Sequence, residues 1–160
     1  MSCRLLILIS AVAVFAVVSG TVEETARDII DALTHAPFEE WSGVFIATND
    51  RIRIKVIRST FFVPNSSANG YGGNDRQKVA AYHIVSERLE FADLLSKASQ
   101  SRLPTLLTGS SILVTNNSGS GFTVDGVLIT EPDMFVDSFM AIHGIAVPLD
   151  FKTYGSERRL

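Results

Sequence analysis

The sequence predicts an α+β protein of one folded domain, in which N-terminal helices pack on a mostly antiparallel β-sheet. Apolar residues recur at helical spacing in the first part of the chain, whereas short apolar strands follow one another from residue 103 onward. Helices followed by strands favour α+β over alternating α/β architecture. The chain has 160 residues, of which 46% are hydrophobic and 19% charged. That composition suffices for one buried core and excludes a disordered chain.

Local signals define the predicted helices. Thr21 and Glu24 have the spacing of a capping box, in which each side chain bonds a free backbone amide, and the first helix continues to about residue 35. Pro37 suits the first turn of a second helix, because its missing N–H would be unpaired there in any case. Two further helices are predicted over residues 77–84 and 91–98.

Period-two alternation and turn residues define the predicted strands. Residues 51–57 alternate strictly between apolar and basic side chains, as a half-buried strand does. A denser strand over 59–63 stops at Pro64, because proline offers no N–H to a neighbouring strand. Asp125 and Gly126 predict a tight hairpin turn, since both tolerate positive φ. The later strands are predicted over 103–107, 111–115, 122–124, 127–130 and 139–145.

The pattern of residues 1–20 predicts a secretory signal peptide at the N-terminus. Arg4 precedes an uncharged run from Leu5 to Val18, and small residues follow at 19 and 20. A basic start, a short apolar core and small side chains at the cleavage site are what the export machinery accepts. We predict cleavage before Thr21. An uncleaved signal anchor is the alternative, because the uncharged run extends to Val22.

The predicted mature chain is acidic and free of cysteine. Removal of residues 1–20 takes away Arg4 and Cys3 and leaves 13 basic against 17 acidic residues, a net charge of −4. Nucleic-acid binding is disfavoured, because its affinity depends on neutralising phosphates with positive charge. We expect a domain over 21–153 and a short polar tail over 154–160. That tail has no apolar stretch for a lipid anchor, so we expect a free secreted protein.

Two Asn-x-Ser/Thr sequons become meaningful in an exported chain. Asn65 and Asn116 each begin one, and each lies in a stretch rich in serine, asparagine and glycine. Such stretches are typical of exposed loops, which the glycosylating enzyme can reach. We expect N-glycosylation at both, with chance occurrence of the tripeptides as the alternative. The glycine cluster over 70–73 reads as a flexible loop, because Lys78 is out of register for a phosphate-binding loop.

No catalytic or metal site is predicted. The three histidines, His35, His83 and His143, lack the spacing of metal ligands, and no serine or cysteine has the context of a nucleophile. Asp133 and Asp137 are expected at helix starts or in loops, where carboxylates stabilise helix dipoles or face water. We expect His83 and His143 to be structural, each satisfying a buried backbone group as a neutral imidazole. No cofactor is expected.

A basic stripe is the one surface feature with a clear candidate ligand. It consists of Arg51, Arg53, Lys55 and Arg58, of which the first three share one face of the predicted strand. In an acidic exported protein, such a row can contact an acidic polysaccharide. A solvated strand face that discourages edge aggregation explains the same pattern. Arg58 breaks the alternation and is expected to point elsewhere.

Three short boxes follow one another along the chain from residue 60 onward. The first runs from Thr60 to Ala68, the second pairs Tyr82-His83 with a helix starting at Phe91, and the third surrounds His143-Gly144. In this order the boxes resemble the fasciclin-like domain of extracellular adhesion proteins, and the plant fasciclin-like arabinogalactan proteins most closely. The residues that carry the resemblance are Thr60, Phe62, Pro64, Tyr82, His83, His143 and Gly144.

The resemblance implies a wedge of helices on a sheet or sandwich, with the box residues defining the fold. It also implies a non-enzymatic module that holds polysaccharide or glycoprotein partners in the extracellular matrix, or in the apoplast and cell wall of a plant. Ser66 and Asn69 stand where the family has Asp and Phe, and Ala36-Pro37 is the only dipeptide suited to arabinogalactan attachment. The alternatives are a soluble binder of acidic polysaccharide and a carbohydrate-active enzyme that uses Asp133 and Asp137.

Overall fold

The protein is described by a computed structural model, which covers Trp41, Val44, Phe45 and residues 58–65 and 73–156. The predicted signal peptide, the first helix, most of the second helix and the alternating segment 51–57 lie outside the described residues. Within the described part of the chain, no helix is long and apolar enough to cross a membrane.

Seven strands and three helices follow one another in the described ranges, in addition to the helical residues Trp41, Val44 and Phe45. The elements are β1 (Ser59–Pro64), α1 (Gly73–Tyr82), β2 (Ile84–Val85), α2 (Phe91–Ser96), β3 (Arg102–Pro104), β4 (Ser111–Ser118), β5 (Gly121–Val124), β6 (Val127–Val136), β7 (Met140–Ile145) and α3 (Phe151–Tyr154). The α+β class predicted from the sequence is confirmed.

The strands form one sheet in the order β2-β1-β7-β6-β5-β4-β3. The β1–β7 pair is parallel, with Phe62 opposite His143 and Val63 opposite Gly144. The other neighbouring pairs are antiparallel, as expected. The predicted hairpin turn is also confirmed, because Asp125 and Gly126 have φ values of 50° and 76° and connect the paired strands β5 and β6.

The two outer strands of the sheet meet each other. Val85 of β2 forms an antiparallel bridge with Thr105, which directly follows β3. The N–H of Leu106 donates to the carbonyl of Ile84 at 2.9 Å, and the N–H of Ser86 donates to that of Pro104 at 3.2 Å. The sheet therefore curls until its edges share hydrogen bonds, which pairs backbone groups that an open edge would expose.

The hydrophobic core has two parts, which lie on opposite faces of β1 and β7. Successive residues of a strand face opposite sides, so Phe61 and Ile142 point to one part and Phe62 and Ile145 to the other. The first part also contains Trp41, Val44 and Phe45, so the second predicted helix packs on the sheet. Every residue of β1 and β7 is buried.

Several predicted boundaries were wrong. Helix α1 begins at Gly73 instead of residue 77, with Asp75 favourably placed in its first turn, and residues 84–85 form the short strand β2. Strand β6 continues to Val136, because register shifts on both sides of Glu131 accommodate Pro132. Asp133 therefore lies in a strand, whereas a helix start or loop was predicted.

Candidate functional site

Four polar residues of the predicted boxes are completely buried: Thr60, Tyr82, His83 and His143. A buried polar side chain needs a hydrogen-bond partner, because it has lost its bonds to water. Each of the four has such partners, and most of these belong to backbone segments distant in sequence. These hydrogen bonds fix the backbone segments that surround the four side chains.

His143 links the segment before α2 to strand β6. Its Nε2 donates to the carbonyl of Leu89 at 2.8 Å, and its Nδ1 accepts from the N–H of Asp133 at 3.0 Å. These two bonds assign the neutral imidazole with its proton on Nε2. Burial lowers the pKa of His143, against the opposing effects of the Leu89 bond and the Asp133 carboxylate. The ring lies between those of Phe62 and Phe91, at centroid distances of 5.8 and 6.4 Å.

Thr60, in the neighbouring strand β1, also forms hydrogen bonds to the segment before α2. Its Oγ1 donates to the carbonyl of Glu87 at 2.7 Å and accepts from the N–H of Leu89 at 2.7 Å. Thr60 and His143 thus make three bonds to a short stretch of backbone. Residues 87–89 are fixed from their inner side.

His83 joins helix α1 to the segment that leads into α3. Its Nδ1 donates to the carbonyl of Val79 at 2.7 Å, and its Nε2 accepts from the N–H of Leu149 at 2.9 Å. Burial lowers the pKa of His83 to about 4, so the imidazole is neutral at physiological pH. A second proton would turn Nε2 into a donor facing the Leu149 N–H. The ring also lies 5.5 Å from that of Trp41, centroid to centroid.

Tyr82 bonds to a carboxylate that sequence reasoning had assigned only to a turn. The Tyr82 hydroxyl donates to Asp125 Oδ2 at 2.6 Å, and Asp125 Oδ1 accepts from the N–H of Leu113 at 2.7 Å. Asp125 is 4% exposed. Burial raises its pKa to about 6, although the Tyr82 and Leu113 bonds and the charge of Arg102 act in the other direction. Burial also raises the pKa of Tyr82 above its ordinary value.

Arg58 is the one member of the basic stripe that the structure describes, since Arg51, Arg53 and Lys55 lie outside the described residues. It directly precedes β1 and is exposed, with a left-handed φ of 66°. Arg58 lines a cleft of about 350 Å³ together with Ser86, Glu87, Arg88 and Ser138.

The two sequons differ in their surroundings. Asn65 is exposed at the end of β1. Asn116 was expected in a loop but lies half-buried in β4, where its Nδ2 donates to the carbonyl of Gly121 at 3.2 Å. The pairing of Asn116 with Thr123 across the β4–β5 hairpin overrides the low strand propensity of asparagine.

The Fasciclin domain family matches residues 49–150. A FAS1 domain-containing protein of Selaginella moellendorffii is 37% identical over 95 residues, which cover 56% of this chain and 36% of the relative. The fasciclin-like arabinogalactan protein 21 of Arabidopsis thaliana is 35% identical over 77 residues, covering 46% of this chain and 22% of the relative.

A further relative and a solved structure are also similar. The fasciclin-like arabinogalactan protein 19 of Arabidopsis thaliana is 36% identical over 80 residues, covering 49% of this chain and 32% of that protein. The FAS1 domain pair from the insect cell adhesion molecule fasciclin I has a TM-score of 0.49 and 14% identity, covering 77% of this chain and 44% of that structure. The matches thus span about a third or less of the length of these curated relatives.

The bonds of His143 predict a loss of stability when its side chain is removed. His143→Ala leaves the Leu89 carbonyl and the Asp133 N–H without partners, so the free energy of unfolding should fall by about 1 to 3 kcal/mol. Urea denaturation of the purified protein measures this change. The exposed substitution Lys78→Ala is the control and should stay within about 0.5 kcal/mol of the wild type. A fully stable His143→Ala protein that had lost partner binding would reassign His143 from fold to site.

The raised pKa of Asp125 predicts a specific pH dependence. The folded protein binds this proton more tightly than the unfolded chain does, so the contribution of Asp125 to stability is present below about pH 4 and is lost as the pH rises through about 6. In Asp125→Asn, the amide oxygen can accept from Leu113 while its NH₂ donates to the Tyr82 oxygen, without any charge. The free energy of unfolding of Asp125→Asn, relative to that of the wild type, should therefore increase by about 1 to 3 kcal/mol from pH 4 to pH 7.

Urea denaturation of both proteins at several pH values measures this gain. The difference between the two proteins is the informative quantity, because the lowered pKa values of His83 and His143 act with the opposite sign. Each histidine contributes stability that is lost as the pH falls below its ordinary pKa. A difference that stayed constant across the pH range would refute the assignment to Asp125.

Proposed function

This chain belongs to the fasciclin domain family, a family of adhesion-type modules, and we propose that it is a secreted, non-catalytic module that holds polysaccharide or glycoprotein partners outside the cell. The match of the family over residues 49–150 is the observation that carries this proposal. The signal-peptide pattern over residues 1–20 supports export. Relatives named as arabinogalactan proteins support a cell-wall location.

The surroundings of the two carboxylates considered for catalysis support a non-catalytic role. Asp133 Oδ1 accepts from the N–H of Phe91 at 2.9 Å. Asp137 Oδ1 accepts from the backbone N–H groups of Phe139 and Met140, both at 2.7 Å. Both carboxylates thus have structural tasks as backbone acceptors. In the carbohydrate-active alternative, one carboxyl group would protonate the leaving group while the other activated water or attacked the sugar.

Export is tested by expressing the full chain with a C-terminal tag in a eukaryotic cell. We expect the product in the medium to begin at Thr21, as N-terminal sequencing would reveal. The secreted product should also lose mass when its N-glycans are removed enzymatically. The Asn65→Gln substitution should reduce this mass loss more than Asn116→Gln does, because Asn65 is the more exposed acceptor. Retention in the membrane with residues 1–20 intact would contradict the proposal.

Partner holding is tested with the secreted protein and fractionated cell-wall or matrix polymers. At least one polysaccharide or glycoprotein fraction should retain the protein saturably, and enzymatic digestion of that fraction should abolish retention. The same samples are assayed for new reducing ends. Their release would support the enzyme alternative, whereas failure of every fraction to retain folded protein would contradict an adhesion role.

A further inference from the structure

The cleft beside Arg58 is built from three separate parts of the chain. Arg58 comes from the start of β1, Ser86, Glu87 and Arg88 from the segment after β2, and Ser138 from the turn between β6 and β7. Its volume of about 350 Å³ is at the lower end of the range of small-molecule sites, which is about 300 to 1,000 Å³. The cleft can therefore accommodate one small chemical group or sugar ring.

Arg58 gives the cleft its positive charge, because the charge of Arg88 is paired with that of Glu90. Among the described residues, no hydrogen bond or ion pair holds the Arg58 guanidinium. Arg88 is fixed, because its Nε donates to the carbonyl of Asp137 and its Nη2 bonds Glu90 Oε1 at 2.6 Å. The negative charge of Glu87 is offset by Lys97, whose Nζ lies 3.5 Å from its carboxylate. Among the residues that the structure describes, a guanidinium without a partner thus stands beside a positioned one.

The backbone at Arg58 is strained. A φ of 66° is uncommon for a residue with a Cβ and is energetically unfavourable. The bond from the Ser59 N–H to the carbonyl of Phe139, at 2.9 Å, fixes the chain at the following residue. Glycine would adopt this conformation freely, whereas the chain has an arginine here. Such outliers concentrate at ligand-binding sites, where the strain fixes a side chain in position.

Two serines line the cleft, and an exposed aromatic residue follows one of them in the chain. Ser86 and Ser138 line the cleft, and each hydroxyl can both donate and accept a hydrogen bond. Phe139 directly follows Ser138 and is 42% exposed, although it is a large apolar side chain. An exposed aromatic face offers an apolar surface to the C–H groups of a sugar ring.

The walls of the cleft are rigid. Residues 87–89 are bonded on their inner side to Thr60 and His143, as described above, while Glu87 and Arg88 line the cleft on the outer side. Ligand binding therefore needs little ordering of this segment. A preformed site binds more tightly than one that must be ordered on binding.

We propose that this cleft binds a uronic-acid residue of an acidic polysaccharide. The Arg58 guanidinium takes the carboxylate, the serine hydroxyls bond the sugar hydroxyls, and Phe139 packs against the ring. A guanidinium matches a carboxylate with two parallel hydrogen bonds. The inference rests on the proposed adhesion function and names the chemical class of one partner.

The test uses the secreted full-length product and trigalacturonate, with its methyl ester as the uncharged counterpart. Calorimetric titration should give affinity for trigalacturonate and about tenfold weaker affinity for the ester, because the ester removes a charge-assisted hydrogen bond. Arg58→Gln should lose about tenfold in affinity for the same reason. Lys78→Gln removes the same charge from exposed helix α1 and should change affinity less than about twofold.

Arg58→Gly separates binding from folding. Glycine relieves the strained φ, so this variant should unfold at the same or a higher temperature than the wild type and still lose trigalacturonate binding. Equal affinities of wild type, Arg58→Gln and Arg58→Gly would overturn the cleft assignment. Binding of a polyglutamate peptide as tightly as trigalacturonate would overturn the sugar class.

The two proposals fail separately. If the wild type binds wall or matrix fractions while wild type, Arg58→Gln and Arg58→Gly have equal affinities for trigalacturonate, the adhesion function survives and the cleft assignment falls. If the wild type binds trigalacturonate with the expected loss in both variants, the cleft assignment stands whatever other fractions retain the protein.

Discussion

The parallel pair β1–β7 is buried on both faces, and the rest of the structure depends on this constraint. Every residue of the two strands is buried, so one face meets the core around Trp41 and the other the core around Phe62. Water cannot satisfy a polar side chain in such a position. Thr60 and His143 must therefore find partners inside the protein, and the backbone segments around them supply these partners.

The buried polar residues consequently act as ties between distant segments. His143 bonds Leu89, 54 positions away, His83 bonds Leu149, 66 positions away, and the Tyr82–Asp125 bond spans 43 positions. Removal of one partner leaves the other unpaired, which costs more than the bond itself contributes. Thr60 and His143 thus fix the segment of residues 87–89, and the outer side of that segment lines the cleft. Fold and candidate binding surface share a single scaffold.

Local sequence determined the elements whose signals are short-range. Proline at position 64 ends β1, Asp125-Gly126 makes the hairpin turn, and the apolar boxes become the central strands. The burial of His83 and His143 followed from their apolar neighbours. Each of these features depends on residues within a few positions of one another.

Only the tertiary structure decided which distant groups meet. Asp125 is locally an ordinary turn residue, and its role as partner of Tyr82 exists because β4, β5 and α1 come together. Asn116 favours a loop by propensity, yet strand pairing places it in β4. The cleft joins Arg58 to Ser138, 80 positions later. No sequence pattern links these residues, because hydrogen bonding and packing between remote segments act through space and leave no periodicity in the chain.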